Sequence, residues 1–366
     1  MDDGRRKMEE IYLEFLRYCL DDKLLLPEST KSIDWMAMMA WAKQQAIVGI
    51  IYGGIQRAGK ALGVPFDALM EWVGYAQQIE LRNRQLNKRC RELVEDFRND
   101  GFKSCILKGQ GVALYYPNPL MRMSGDIDIW LEGGRDRIVE YVRVKYGEQL
   151  ERYHHVELPA EDGIEVEVHF TPSYMLAPWS NKRMQRWMRE KADGGWLMAE
   201  LPDGAGEIPV PTAEFNLVFL LSHIYRHLFS EGIGLRQVVD YYYLLKSDVG
   251  SKMEDVTSIL KHLGLWKFAG ALMWVLHEQL GLGEKSLIAE PNEREGRFLW
   301  REIMIGGNFG RYDTRLGNKE HEGRLRTFVR MTVRNLRFVK HYPSEALCEP
   351  TFRTWHYLWR KSHGLK

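Results

Sequence analysis

Two carboxylates two residues apart, Asp126 and Asp128, stand in the segment Met123-Ser124-Gly125-Asp126-Ile127-Asp128-Ile129-Trp130. Side chains alternate faces along a strand, so both carboxylates share one face while Ile127 and Ile129 take the other. Neighbouring carboxylates repel, and a divalent cation is the usual means of keeping both ionised. Mg²⁺ takes oxygen ligands and is commonly held by one or two carboxylates together with substrate phosphates. The segment therefore reads as half of a metal site for phosphoryl-type chemistry. Some forty residues on, Ile164-Glu165-Val166-Glu167-Val168-His169-Phe170 alternates strictly between apolar and polar positions, which predicts a half-buried strand. Laid beside the first strand it would add a third carboxylate. Face alternation alone does not choose between Glu165 and Glu167. His169 shares their face, as a base, a substrate-positioning group or a packed strand histidine.

Upstream, Ser104 to Leu107 predicts a short strand that runs into Lys108-Gly109-Gln110-Gly111 and then the helix-like 112–116. A glycine turn at a helix start offers backbone N–H groups to a phosphate, and Lys108 adds a point charge. Arg122, just ahead of the acidic segment, has the fork geometry to grip phosphate oxygens.

Leu107-Lys108-Gly109, Tyr116-Pro117, Arg122-x-x-Gly125-Asp126-Ile127-Asp128 and Val166 to Phe170 together resemble the uncharacterised bacterial nucleotidyltransferase family of the DNA polymerase β-like superfamily. His223 to His227, Leu235-Arg236 and Asp240 are similar to that family's helical region, so the resemblance spans roughly 100–245. It implies a small mixed sheet flanked by helices, with Asp126, Asp128 and Glu167 binding two Mg²⁺ (or Mn²⁺) ions. The implied reaction moves a nucleoside monophosphate from an NTP to a hydroxyl. Lys108, Gly109, Arg122, Ser124 and Gly125 would bind nucleotide, and Glu165, His169, Arg236 and Asp240 are accessory candidates. The superfamily's Gly-Ser element at a helix start, about ten residues before the acidic pair, is absent. Either the Lys108-Gly109 turn or Ser124-Gly125 must stand in for it. A metal-dependent phosphodiesterase or hydrolase, and a non-catalytic nucleotide-binding protein of the same fold, are the rival readings.

The elements that must position these groups predict an α+β chain in three parts. Residues 1–98 are helical, 99–172 form the nucleotidyltransferase core, and 173–366 are mainly helical. Apolar periodicity predicts helices at 35–51 (ended by Gly53-Gly54), 69–97, 136–144, 215–229, 236–248, 253–281, 292–304 and 323–340. Residues 154–158 predict a strand, and 202–212 turns or a short hairpin. His223 and His227 share a helical face, but Ile224 stands where a zinc protease needs Glu. They read as a structural pair, as does the doublet His154-His155. Arg236 and Asp240 have the spacing of an ordinary helix salt bridge.

The 51 Lys and Arg against 50 Asp and Glu leave a net charge of +1, so bulk electrostatics selects no partner. Four scattered cysteines, Cys19, Cys90, Cys105 and Cys348, form no Cys-x-x-Cys pair, which argues against a disulfide framework and suits a cytoplasmic setting. The opening residues do not read as a signal peptide, and no apolar run approaches a membrane span. Between Arg324 and Lys366, ten Lys and Arg face only Glu345 and Glu349. Arg326, Arg330, Arg334 and Arg337 predict a basic helical stripe interleaved with aromatics. That composition suits RNA or another anionic acceptor, or a solvated helix with inward-packing rings. The acceptor class (small molecule, protein or RNA) stays open.

Overall fold

The structure, a computed structural model, describes residues 3–247, 255–315, 317 and 323–363. A helical N-terminal part comprises α1 (Asp3–Leu20), α2 (Trp35–Gln45), α3 (Val48–Ala58) and the long α4 (Phe66–Asn99). The sheet follows: β1 (Ser104–Ile106), the four-residue α5 (Gln110–Ala113), β2 (Ile127–Leu131), α6 (Arg135–Tyr146), β3 (His155–Glu157) and β4 (Val166–His169). Next come α7 (Pro178–Ala192), a hairpin of β5 (Leu197–Glu200) and β6 (Glu207–Val210), α8 (Ala213–Ser230) and α9 (Leu235–Lys246). The remainder is α10 (Val256–Leu263), α11 (Trp266–Trp274), α12 (Glu293–Gly306), α13 (Arg324–Leu336) and α14 (Pro343–Ser362). The chain is thus α+β, a small mixed sheet flanked by helices.

Strand order is β1-β2-β4-β3, with β2 and β4 parallel and both outer pairings antiparallel. The alternating sequence pattern sorts the two faces. Ile127, Ile129, Leu131, Val166, Val168 and Val156 pack on Leu86, Cys90, Leu93 and Phe97 of α4 and on Ile138 and Val142 of α6. The other face carries Asp128, Glu167, His169 and His155. On that face Trp130 sits against Trp196 and Phe215, within the large helical core. One sheet face therefore holds the domain together, and the other is left for polar groups under the C-terminal helices. Both the hydrophobic effect and strand periodicity require that division.

Several expected boundaries differ. The helix predicted over 35–51 breaks at Ala46, which adopts a left-handed φ of 55°. Its continuation α3 runs through Gly53-Gly54 rather than ending there. Gly54 is a contact residue: a Cβ there would lie 2.2 Å from Cys19 Sγ. The helix predicted over 253–281 is divided at Gly264 and closes in a π turn at Val275–Gln279; residues 253 and 254 lie outside the described ones. Of the predicted 112–116 region only Val112 and Ala113 are helical, at the end of the four-residue α5 (Gln110–Ala113). The expected helix over 323–340 stops at Leu336, and α14 follows with Pro343 in its first turn, where proline's missing N–H costs nothing.

The basic stripe is not a uniformly solvated surface. Arg334 is buried and donates to the carbonyls of Phe229 and Leu228. Arg337 pairs with Asp313 and Glu302. Among the described residues no single helix is long and apolar enough to cross a membrane.

Helix α3 is locked onto the 3-10 turn Pro119–Met121, which leads into the acidic segment. Gly49 makes the contact: a Cβ at that position would stand 2.0 Å from the Met121 carbonyl oxygen. Gly49→Ala is expected to lower stability by about 1–3 kcal/mol through overpacking. Urea unfolding of wild type and variant checks this, and equal midpoints would show that the turn yields freely.

Candidate active site

Parallel pairing of β2 with β4 sets Asp128 directly opposite Glu167. Antiparallel pairing of β3 with β4 sets His155 opposite His169. Asp128, Glu167 and His155 form the floor of a cavity of about 440 Å³, and His169 lies buried beneath them. Asp128 is 2% exposed and its Oδ1 is shared by two cations or donors, Lys108 Nζ at 2.7 Å and His169 Nε2 at 2.9 Å. His169 Nε2 also lies 3.3 Å from Glu167 Oε2, and the same oxygen is 3.3 Å from His155 Nδ1. Ligand atoms of Asp128, Glu167 and His169 fall within 4.8 Å of one another. Asp126 lines the same cavity from the residue before β2.

The two aspartates are electrostatically unlike. Burial would raise the Asp128 carboxyl, but Lys108 and His169 outweigh it and hold Asp128 well below the usual range. The Asp126 carboxyl is raised, first by the charge of Asp128 and then by burial. Relief from crowding, expected of the pair as a whole, thus belongs to Asp126 alone. Burial also opposes the charge of Glu167, yet its contact with His169 keeps it lowered. Asp126 is not part of that ligand-distance group, but an oxygen-seeking divalent cation at Asp128 and Glu167 would neutralise the repulsion that leaves Asp126 high.

Lys108 is delivered by the end of β1 and the turn at Gly109. Gly109 has φ 51° and ψ −110°, a conformation open to glycine alone, and passes close under the Asp126 carbonyl. Both residues line the cavity. Arg122 lines it too, but its fork is committed to Asp240, with Nε–Oδ1 at 2.7 Å and Nη2–Oδ2 at 2.8 Å. Tyr116 Oη donates to the same Asp240 carboxylate at 2.6 Å. The expected phosphate grip by Arg122 is therefore replaced by a buried tie between the acidic segment and α9. Ser124 accepts from Arg122 Nη1 and is not among the lining residues, whereas Gly125 is. Glu165 is exposed at the start of β4 and lies outside the cavity, because it precedes the paired part of the strand.

The expected Arg236–Asp240 helix pair does not form, since Asp240 is already occupied. Arg236 instead donates to the Met123 carbonyl at 2.9 Å, and its buried Nε has no hydrogen-bond partner. It makes no ion pair among the described residues, and it faces the cavity. His223 and His227 also face the cavity rather than only packing, with Arg226 Nη2 between them at 3.4 and 3.2 Å. His154 and His155, read from the sequence as structural, line the cavity, and so do Arg226, Glu231, Phe309 and Arg311, which the sequence did not single out. Arg226 could have been suspected from its place between two histidines on one helical face. Phe309 could not: it comes from a loop after α12, far away in sequence. Its φ is 53°, uncommon for a bulky residue. The Arg236 guanidinium, 5.1 Å from its ring centroid, and the His227 ring, 5.3 Å away, bracket it at the cavity. A larger cleft of about 940 Å³, lined by Trp130, Trp196, Arg98, Arg135 and Arg189 among others, gathers no comparable cluster.

Residues 31–281 match the model of a family described as uncharacterised nucleotidyltransferase. This is most of the chain, and the protein belongs to that family. No curated protein matches it. Among solved structures it is similar to an antigenic nucleotidyltransferase-like protein from Paracoccidioides brasiliensis, at 11% identity and a TM-score of 0.35, over 59% of this chain and 96% of that one. Phe309 and Arg311 lie beyond the matched residues.

Burial, with Arg226 beside it, depresses His227 to about 4, and burial together with Lys108 holds His223 well below its ordinary 6.5. The unfolded chain therefore takes up protons near pH 6.5 that the folded chain refuses. Stability from these histidines is complete above pH 6.5 and is lost as pH falls toward 4. Glu231, which contacts His227, is held low by that contact, and its own contribution is lost only below its ordinary 4.5. Denaturation measured from pH 7 to 4.5 should show a falling midpoint, with a shallower slope in His227→Gln. Parallel slopes would place the linkage elsewhere.

Proposed function

We propose that this cavity binds an NTP with divalent cations and transfers its nucleoside monophosphate to a hydroxyl acceptor. The observation that carries the reading is one of opposition across the cavity. Asp128 and Glu167 meet on its floor, and a half-buried guanidinium, Arg236, whose inner Nε has no hydrogen-bond partner, faces it without an ion pair among the described residues. An unpaired charge partly withdrawn from water calls for an anion to answer it, and a polyphosphate is an anion of suitable length. Membership of a nucleotidyltransferase family supports the same class of reaction.

Asp126, Asp128 and Glu167 would hold the cations, Mg²⁺ or Mn²⁺, two in number by the superfamily pattern. Bound there, they supply neutralisation of phosphate charge and acidify an oxygen nucleophile. Lys108 keeps Asp128 ionised and presents an ammonium at the floor. Arg226 and Arg236 form the cationic wall for phosphate oxygens, with Gly109 and Gly125 as close backbone edges. His169 Nε2 bonds Asp128 at 2.9 Å and lies 3.3 Å from Glu167, so it helps orient both carboxylates. Arg122, Tyr116 and Asp240 act at one remove, by holding α9 against the acidic segment. Phe309 offers a ring at the cavity, where a base or an acceptor can lie against it. The reaction then needs little beyond positioning and charge, as phosphoryl transfer generally does.

The test is pyrophosphate release from a panel of NTPs with Mg²⁺ or Mn²⁺ and candidate acceptors. Asp128→Asn is expected to slow release at least a few hundredfold, the loss of several kcal/mol of charge stabilisation. Hydrolysis without pyrophosphate would favour the phosphodiesterase reading. Tight NTP binding with no turnover in wild type would favour the non-catalytic one. Thermal unfolding separates the two aspartates. Asp128→Asn strips Lys108 and His169 of their partner and should lower Tm, while Asp126→Asn relieves repulsion and should hold or raise it. The reverse order would contradict the charge assignment.

A further inference from the structure

Beside the carboxylates stand three buried imidazoles that the nucleotidyl-transfer reading leaves largely unused. His154, His155 and His169 are 6%, 6% and 0% exposed. Their ring centroids are 4.6, 5.0 and 5.1 Å apart, and one ligand nitrogen from each lies within 4.8 Å of the others. The cluster is short of hydrogen bonds. Nδ1 of His154, Nδ1 of His169 and both nitrogens of His155 are buried with no hydrogen-bond partner. Glu167 Oε2 is 3.3 Å from His155 Nδ1, but not in bonding geometry. An unsatisfied buried polar atom is costly, so four in one place imply a missing partner.

The orientation of His169 indicates what the partner is. Its Nε2 is turned to Asp128 and Glu167, which leaves Nδ1 as the nitrogen without a partner. A histidine that ligates a metal characteristically donates its other ring N–H to a carboxylate, which fixes the tautomer. Ligating imidazoles bind as the neutral ring, so metal binding here would release any proton held on them. Imidazole suits zinc-like divalent ions, whereas Mg²⁺ prefers an all-oxygen set.

We propose that His154, His155 and His169 bind one divalent transition-metal ion of the zinc class, distinct from the oxygen-held cations of Asp126, Asp128 and Glu167. Three protein ligands leave a fourth position, and His154 and His155 both line the cavity, so a solvent or substrate oxygen can reach it. The ion would lock the His169 ring and thereby the carboxylates it touches. The site stands on its own geometry and does not require nucleotidyl transfer.

Chelator-stripped protein is titrated with Co²⁺ in a large excess of Mg²⁺. The expected result is one equivalent of Co²⁺ with intense visible absorption, displaced by Zn²⁺. The band should persist in Asp126→Asn and weaken at least tenfold in affinity in His154→Gln and His155→Gln. X-ray absorption of the wild-type Zn²⁺ form, which needs no variant to fold, should show two or three imidazole ligands. No Co²⁺ band, displacement by Mg²⁺, unchanged affinity in the histidine variants, or an all-oxygen zinc shell would each overturn the proposal. Pyrophosphate release is scored separately: its absence with the Co²⁺ band intact defeats the transferase reading alone. Release with no band defeats this one alone.

Discussion

Asp128, buried, and Glu167, half-buried, stand side by side on adjacent parallel strands, and their mutual repulsion is the constraint around which the site is arranged. Two such carboxylates cannot both stay ionised without answering charge. The chain supplies it from two directions. Lys108 reaches in from the end of β1, and His169 lies two residues beyond Glu167 on the same strand face. Asp126, which receives no such direct contact, carries the residual repulsion as a raised carboxyl. The floor of the cavity is thus partly neutralised and partly still in need of cations.

That floor would be solvated without its roof. The helices α8 and α9 cover it, and a buried polar tie anchors α9 to the acidic segment. Asp240 takes both Arg122 nitrogens and the Tyr116 hydroxyl, linking α9 to the segment that carries Asp126 and Asp128. Because Asp240 is spent on this tie, Arg236 one turn earlier has no carboxylate of its own. The same economy that fixes the roof therefore leaves a guanidinium facing the cavity. Its position opposite the carboxylates follows from packing, not from any local sequence rule.

The C-terminal segment joins the site for a related reason. Arg334 satisfies the carbonyls at the end of α8, and Asn308 accepts from Gln237 of α9. These bonds seat the loop after α12 against the roof and bring Phe309 to the cavity. An aromatic in a left-handed conformation persists only where its surroundings over-determine it, and here Arg236 and His227 do so. The residues beyond the family match thereby shape the mouth of a site whose floor lies within the match.

Strict alternation at 164–170 and around Asp126 determined the strands and the polar face each presents, with Asp126 and Asp128 on one and Glu165, Glu167 and His169 on the other. This works because a period of two is a property of the backbone itself. Helix periodicity likewise determined α4, α8 and α9 to within a few residues. Sequence spacing could not determine the parallel register that sets Asp128 against Glu167 and leaves Glu165 outside, because register is settled by how the apolar faces meet α4 and α6. Nor could it tell that Arg122 and Asp240, 118 positions apart, are partners. Local spacing offered Arg236 for Asp240, and a bidentate buried pair outcompeted it. The histidines 154, 223 and 227 read as packing residues for the same reason: what lies opposite a helix or strand face is decided only when distant elements close over it.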